Sequence, residues 1–168
     1  MNTMSEPRLE KVTVNIGVGS DGQSLENARN LLERLTECKP VTTHARKRVP
    51  SFKLRKGDAI GIKVTMRGKG AREFIEKALK TKDNALPKRS FDDNGNVAFG
   101  VKEYIDFPGA KYDPKIGMIG FDVCLSLRKA GSNISRRRIA PRRVPKRHRV
   151  KADESRAFMQ KEFNVRIY

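Results

Sequence analysis

Residues 123–152 contain no Asp or Glu, and eleven of those 30 residues are Lys or Arg. Such a stretch cannot enter an apolar core, because buried charges need partners that it does not carry. Pro141 and Pro145 bar a continuous helix through it. Any fold of this chain must therefore carry a basic irregular arm, residues 129–151. A second acid-free window, residues 38–57, holds seven more cations: Lys39, Arg46, Lys47, Arg48, Lys53, Arg55 and Lys56. The two windows supply the whole net charge of +18, and the other 118 residues balance. A field that strong repels itself and seeks a polyanion, nucleic acid before an anionic membrane. A small acidic substrate needs no such breadth, so a small-molecule substrate is not expected.

A disordered, solvated tail is the plain alternative for the arm. The arm is internal, however. A helix is expected over residues 153–163, with Asp153 as N-cap and Ala157, Phe158 and Phe163 facing inward. A short strand-like end, residues 165–168, follows. The arm is thus anchored on both sides. A membrane binder would instead want an amphipathic helix with a bulky apolar face.

The length of 168 residues suits one domain spanning residues 1–168. With 37% hydrophobic residues its core must be lean. No apolar run approaches the roughly 18 residues of a membrane span. The first residues lack the apolar stretch of a signal peptide, so none is expected. Cys38 and Cys124 lie far apart, forming neither a disulfide framework nor a zinc set. A reducing, cytosolic location follows. Neither internal repeats nor heptads occur.

The order of elements is legible from periodicity. Val12, Val14, Ile16 and Val18 alternate with polar residues in a first strand. Leu25, Ala28, Leu31, Leu32 and Leu35 line one face of a helix over residues 24–37, with Ser24 as N-cap. A second strand is expected over residues 41–49, with Thr42, His44, Arg46 and Arg48 on one face. A third, residues 59–67, sets Ile60, Ile62, Val64 and Met66 against Lys63, Thr65 and Arg67. A second helix over residues 70–80 carries Ala71, Phe74, Ile75, Ala78 and Leu79. Val97, Phe99 and Val101 mark a fourth strand. Residues 119–127 mark a fifth. Two helices against one sheet read as α+β: a mainly antiparallel sheet of about five strands with helices on one face, a split βαβ layout like ferredoxin or RRM domains, plus the basic arm. The other face would display Thr13, Asn15, Thr42, His44, Arg46, Lys63, Thr65 and Arg67, a platform suited to nucleic-acid backbone.

Catalytic motifs are weak. Residues 17–22 (GVGSDG) match G-x-G-x-x-G between a strand and a helix. The helix is expected to begin after the third glycine, Asp21 would repel phosphate, and no acid ends the next strand to hold a ribose. A tight strand-to-helix turn explains the glycines better. The alternative it leaves open is an RNA- or nucleotide-processing enzyme using this loop. His44 and His148 have no partners at ligand spacing, so no metal or other cofactor is expected. Asp92 and Asp93 belong to a turn. Arg67-Gly68-Lys69-Gly70, at the start of the second helix, suits either phosphate or simple punctuation. RRM-type base stacking is disfavoured, because the first strand has no aromatic and Phe99 falls on the core face. Structured RNA, met through phosphates and 2′-hydroxyls, is favoured.

With these elements in place, the chain resembles the large-subunit ribosomal protein five family over nearly its whole length. The matching runs are residues 11–19 (KVTVNIGVG), 39–47 (KPVTTHARK), 52–57 (FKLRKG), 60–68 (IGIKVTMRG), 99–103 (FGVKE) and 112–114 (YDP). The arm and the ending Glu162-Phe163-Asn164-Val165 resemble the archaeal-type branch. The resemblance implies a structural constituent of the cytoplasmic ribosome, not an enzyme, that binds 5S rRNA and helps anchor it in the central protuberance. It implies 5S rRNA contacts at Asn15 and Thr65. The strand phase adds Thr42, His44, Arg46, Lys63 and Arg67. The arm, with Arg136, Arg137, Arg138, Arg142, Arg143, Lys146 and Arg147, would meet large-subunit rRNA. The loop from Arg48 through Phe52, Lys53 and Arg55 to Lys56 would reach peptidyl-site tRNA. Phe107, Lys111, Tyr112 and Lys115 would meet a protein of the small-subunit head as an intersubunit bridge. Many family members place a Gln before the Lys-Pro pair, where this chain has Cys38, so that contact is not carried over.

Overall fold

The computed structural model describes residues 3–168. The elements run β1 (Pro7–Gly17), α1 (Gly22–Thr36), β2 (Val41–His44), β3 (Ala59–Met66), α2 (Gly68–Lys80), β4 (Ala85–Leu86), β5 (Asn96–Val101), β6 (Phe121–Lys129), α3 (Ala152–Phe163) and β7 (Arg166–Ile167). Five strands form an antiparallel sheet in the order β2-β3-β1-β6-β5, which leaves β2 and β5 as edges. The expected α+β architecture stands. A two-stranded parallel pair, β4 with β7, adds to it. The chain divides into two compact units interleaved in sequence. Residues 13–66 and 100–123 make the first; residues up to 12, 67–99 and 124–168 make the second.

In the first unit, α1 packs on β3. Ala28, Leu31 and Leu32 from the helix and Ile62, Val64 and Met66 from the strand are all buried. The N-cap of α1 is Asp21, not Ser24, and the helix starts at the third glycine. The Asp21 carboxylate accepts the Ser24 amide at 3.1 Å and the Ser24 hydroxyl as well. That pairing holds the Asp21 carboxyl below its ordinary value. Glu37, at φ 53°, closes the other end with its amide on Glu33 O. Phe107 is buried edge-on to Phe121, with ring centroids 6.0 Å apart.

In the second unit, α2 buries Ala71, Phe74, Ile75, Ala78 and Leu79, the stripe its periodicity announces. The inward face of α3 keeps Phe163 of the residues expected there, but not Ala157 or Phe158. Ser155, Met159 and Phe163, four residues apart, are buried. Ala157 is exposed and Phe158 half-buried. The N-cap is Lys151 rather than Asp153, because Glu154 reaches back to the Lys151 amide at 3.0 Å.

Candidate nucleic-acid interface

The expected second strand stops at His44, five residues short of Val49. Its pairing with β3 sets Val41 opposite Lys63, Thr42 opposite Ile62 and Thr43 opposite Gly61. Directly opposed residues share a face, so Thr42 lies on the core side with buried Ile62. This corrects the phase read from the sequence, and Thr43 takes the polar face instead. A bulge between Thr43 and His44 then pairs His44 with Ala59. The skipped residue, Ile60, belongs to β3, and His44 itself is exposed at the end of β2. Arg46 lies beyond the strand in an exposed bend.

That face is built for backbone contact. Lys63 and Thr65 are exposed on β3, and Thr13 and Asn15 are half-buried on β1. Residues 13–17, β2 and β3 carry no acid. Gly61 lets the strands close up: a Cβ there would lie 2.5 Å from Ile16 O and 3.1 Å from Thr43 Oγ1. His44 Nδ1 sits 3.0 Å from Gly57 O. A carbonyl only accepts, so Nδ1 carries the proton and Nε2 is left to other partners. Arg67 is exposed past the end of β3, as the residue from which α2 starts.

The loop over residues 48–56 is closed by its own backbone. Val49 and Leu54 exchange hydrogen bonds of 3.0 and 3.1 Å around a 3-10 turn, Pro50–Phe52. Lys53 is left-handed at φ 54°, a cost for a non-glycine residue that the bonded turn holds in place. The Arg55 amide donates to the Asp58 carboxylate at 2.7 Å. The loop's Arg48, Lys53, Arg55 and Lys56 are exposed, and Phe52 stands 74% exposed at the apex.

The segment over residues 105–118 is pinned to α1. Arg34 pairs with Asp113 at 2.9 Å, the Asn27 amide group donates to Lys115 O at 2.8 Å, and the Asp113 amide donates to Tyr104 Oη at 2.9 Å. The Arg34 guanidinium, helped by the Lys115 amide, holds the Asp113 carboxyl below its ordinary value. Of the residues expected to present themselves here, Lys111, Tyr112 and Lys115 are exposed. Phe107 is a core residue, which corrects its expected surface role.

The arm starts where β6 ends. Lys129 is buried and bonds Glu154 at 2.6 Å. Burial works against the charge on Glu154, but Lys129 and the Lys151 amide outweigh it and hold the carboxyl below its ordinary value. Arg128 and Arg136 both reach Glu10, at 3.3 and 2.6 Å. His148 Nε2 donates to Ala130 O at 2.7 Å, and buried Val150 fills the space over Gly95. Arg137, Arg138, Arg142, Arg143, Lys146 and Arg147 are exposed. Arg136 is thus partly committed within the protein, which its place in a cationic run does not reveal. Glu10 and Thr43 were not singled out by sequence. A half-buried acid in a strand facing an acid-free window is the signal that points to Glu10.

The glycine loop is not arranged for a nucleotide. The Val18 and Gly19 amides both donate to Ile60 O, at 3.2 and 3.1 Å, and Asp21 fills the N-terminus of α1. A phosphate there would find its donors taken and a carboxylate in its way. Among the described residues, no group of His, Cys, Asp and Glu is placed to hold a metal, and no helix is long and apolar enough to cross a membrane.

Comparison with known proteins decides the family. The model for ribosomal protein L5 matches residues 2–55, and the model for the C-terminus of the same ribosomal family matches residues 59–162. The chain belongs to this ribosomal protein family. It is 47% identical over 168 residues to large ribosomal subunit protein uL5 of Sulfurisphaera tokodaii, covering 99% of this chain and 95% of that one. It is 43% identical to uL5 of Methanosphaera stadtmanae, covering 99% of both. With uL5 of Picrophilus torridus the identity is 44%, over 99% of this chain and 95% of the relative. A uL5 family member is a ribosomal protein of the large subunit rather than an enzyme, which closes the nucleotide-enzyme reading of the glycine loop.

Proposed function

We propose that this large-subunit protein binds 5S rRNA through the polar face of β1, β2 and β3, and so helps anchor that RNA in the central protuberance of the cytoplasmic ribosome. The single observation that supports this most is the acid-free β2–β3 pair, which sets Thr43, Lys63 and Thr65 on one rigid face with exposed His44 at its end. Asn15, Arg46 and Arg67 extend the same reading. Fixed donors on a sheet suit an A-form backbone, whose phosphates and 2′-hydroxyls lie at set spacing. The arm meets large-subunit rRNA through Arg137, Arg138, Arg142, Arg143, Lys146 and Arg147. The loop over residues 48–56 meets peptidyl-site tRNA. The segment over residues 105–118 bridges to a protein of the small-subunit head through Lys111, Tyr112 and Lys115.

Titration of 5S rRNA with the protein across a salt series tests the first of these. Lys63→Ala should lower the log–log salt slope by roughly 0.7 to 0.9, one phosphate contact's worth of released counterion. An unchanged slope and affinity would remove this face from the interface.

A further inference from the structure

Ile139, in a bend of the arm, is 80% exposed, more than any other large apolar residue among those described. A bulky aliphatic side chain is not normally left in water at the centre of a charged segment. Five arginines stand within four residues of it: Arg136, Arg137, Arg138, Arg142 and Arg143.

The turn is closed rather than loose. The Arg142 amide donates to Ile134 O at 3.0 Å, bringing residues 134 and 142 together. The Arg137 amide donates to Asn133 O at 3.1 Å, and Arg137 Nε donates to Ala140 O at 2.8 Å. Ala140 takes φ +48°, a conformation that a residue with a Cβ avoids unless its surroundings enforce it. Pro141 stiffens the exit. At the root, Glu10 clamps Arg128 and Arg136. Backbone and side chains together hold Ile139 outward.

The charge around Ile139 decides what can cover it. A second copy of this chain brings +18 of its own and is repelled. A membrane surface would want an apolar helix face, and this turn offers one aliphatic side chain. RNA attracts the arginines and also offers apolar surface: ribose edges in its shallow minor groove and the faces of unstacked bases. Apolar side chains set among cations are used in this way as wedges against nucleic acid.

We infer that the arm's apex is an apolar contact point for RNA, with Ile139 seated on a ribose or base face while Arg138, Arg142 and Arg143 neutralise the flanking phosphates. This rests on the reading that the arm meets rRNA, and adds a contact that charge alone does not supply. Such a contact releases no counterions, so it strengthens binding equally at all salt concentrations.

The test uses the full-length protein, a 5S rRNA transcript and a large-subunit rRNA transcript, with affinities measured across a salt series. On the transcript for which Arg138→Gln flattens the slope, Ile139→Ser should weaken binding about five-fold at every salt concentration, with the slope kept. Ile139→Leu should restore affinity. The melting temperature should not move, because the side chain is already in water. If Arg138→Gln flattens the slope while Ile139→Ser binds as wild type, the apex contact is overturned and the arm's rRNA role survives. If neither variant changes binding to either transcript, the arm's rRNA role fails and takes the apex with it. Normal binding to both RNAs with loss of entry into large subunits would assign Ile139 to a protein partner and overturn the proposal.

Discussion

The two acid-free windows have the same chemistry and reach order by different routes. The loop over residues 48–56 is closed by main chain: the reciprocal Val49–Leu54 bonds and the 3-10 turn between them. Its cationic side chains are left to solvent. The arm adds side-chain ties to its own main-chain turns, with Lys129 on Glu154, Arg128 and Arg136 on Glu10, and His148 on Ala130 O. Charge density therefore does not decide whether a basic segment is ordered. What matters is whether its order depends on groups that also attract RNA. In the loop the two are separate. In the arm, Arg136 serves both ends, and order there depends on acids supplied from elsewhere in the sequence.

The largest expected effect strikes the sheet from which the loop projects. Gly61→Ala would drive a Cβ to 2.5 Å from Ile16 O, which is backbone and cannot step aside. Overpacking of this kind costs about 2 to 3 kcal/mol, read as a lower urea midpoint. A midpoint within error of wild type would mean that the β1–β3 contact is looser than described. Next, Glu10→Gln should cost about 1 kcal/mol of stability, because two guanidinium groups lose their shared carboxylate. It should also raise hydrogen exchange over residues 130–140 while leaving residues 48–56 unchanged. Equal protection in the arm would refute its dependence on side chains.

Changing Lys53, Arg55 and Lys56 together to Ser should leave the melting temperature and 5S rRNA binding in place. Reconstituted ribosomes should release peptidyl-site tRNA several-fold faster, about 1 kcal/mol of contact. Equal release rates, or a loss of 5S rRNA binding, would sink the tRNA assignment. The smallest effect is on pH. Glu154 has a folded-state carboxyl value below its ordinary one, so the stabilisation it gives is present above that ordinary value. It disappears as pH falls through the lowered folded value. The loss should stay under about 1 kcal/mol for so accessible a carboxylate, and exchange should rise first at residues 129 and 151–155.

How much the sequence reveals depends on which physical signal each element sends. β1, α2 and β5 announce themselves, because unbroken apolar periodicity repeats what burial requires. The phase of β2 does not, since a one-residue shift of register exchanges inside and outside for the whole strand. Thr42 and Thr43 are the same residue type, so the pattern cannot choose between them. Asp21 and Ser24 both suit an N-cap, and which one caps depends on where the turn ends. Phe107 reads as surface because it lies in a loop, and only the Phe121 ring explains its burial. β4 and β7 are two residues each and pair across a long stretch of sequence, too short to send a periodic signal. Fold class and charge are legible, whereas individual contacts depend on long-range pairing.

The shortness of β2 has a further consequence, for the protein before it meets any RNA. β2 is an outermost strand, and its free edge could recruit the strand of another molecule. The edge is only four residues long, and cations follow at Arg46, Lys47 and Arg48. An approaching strand would meet a short row of hydrogen-bonding groups and then a wall of like charge. The early end of β2 thus also helps keep newly made molecules from stacking edge to edge while they wait for assembly.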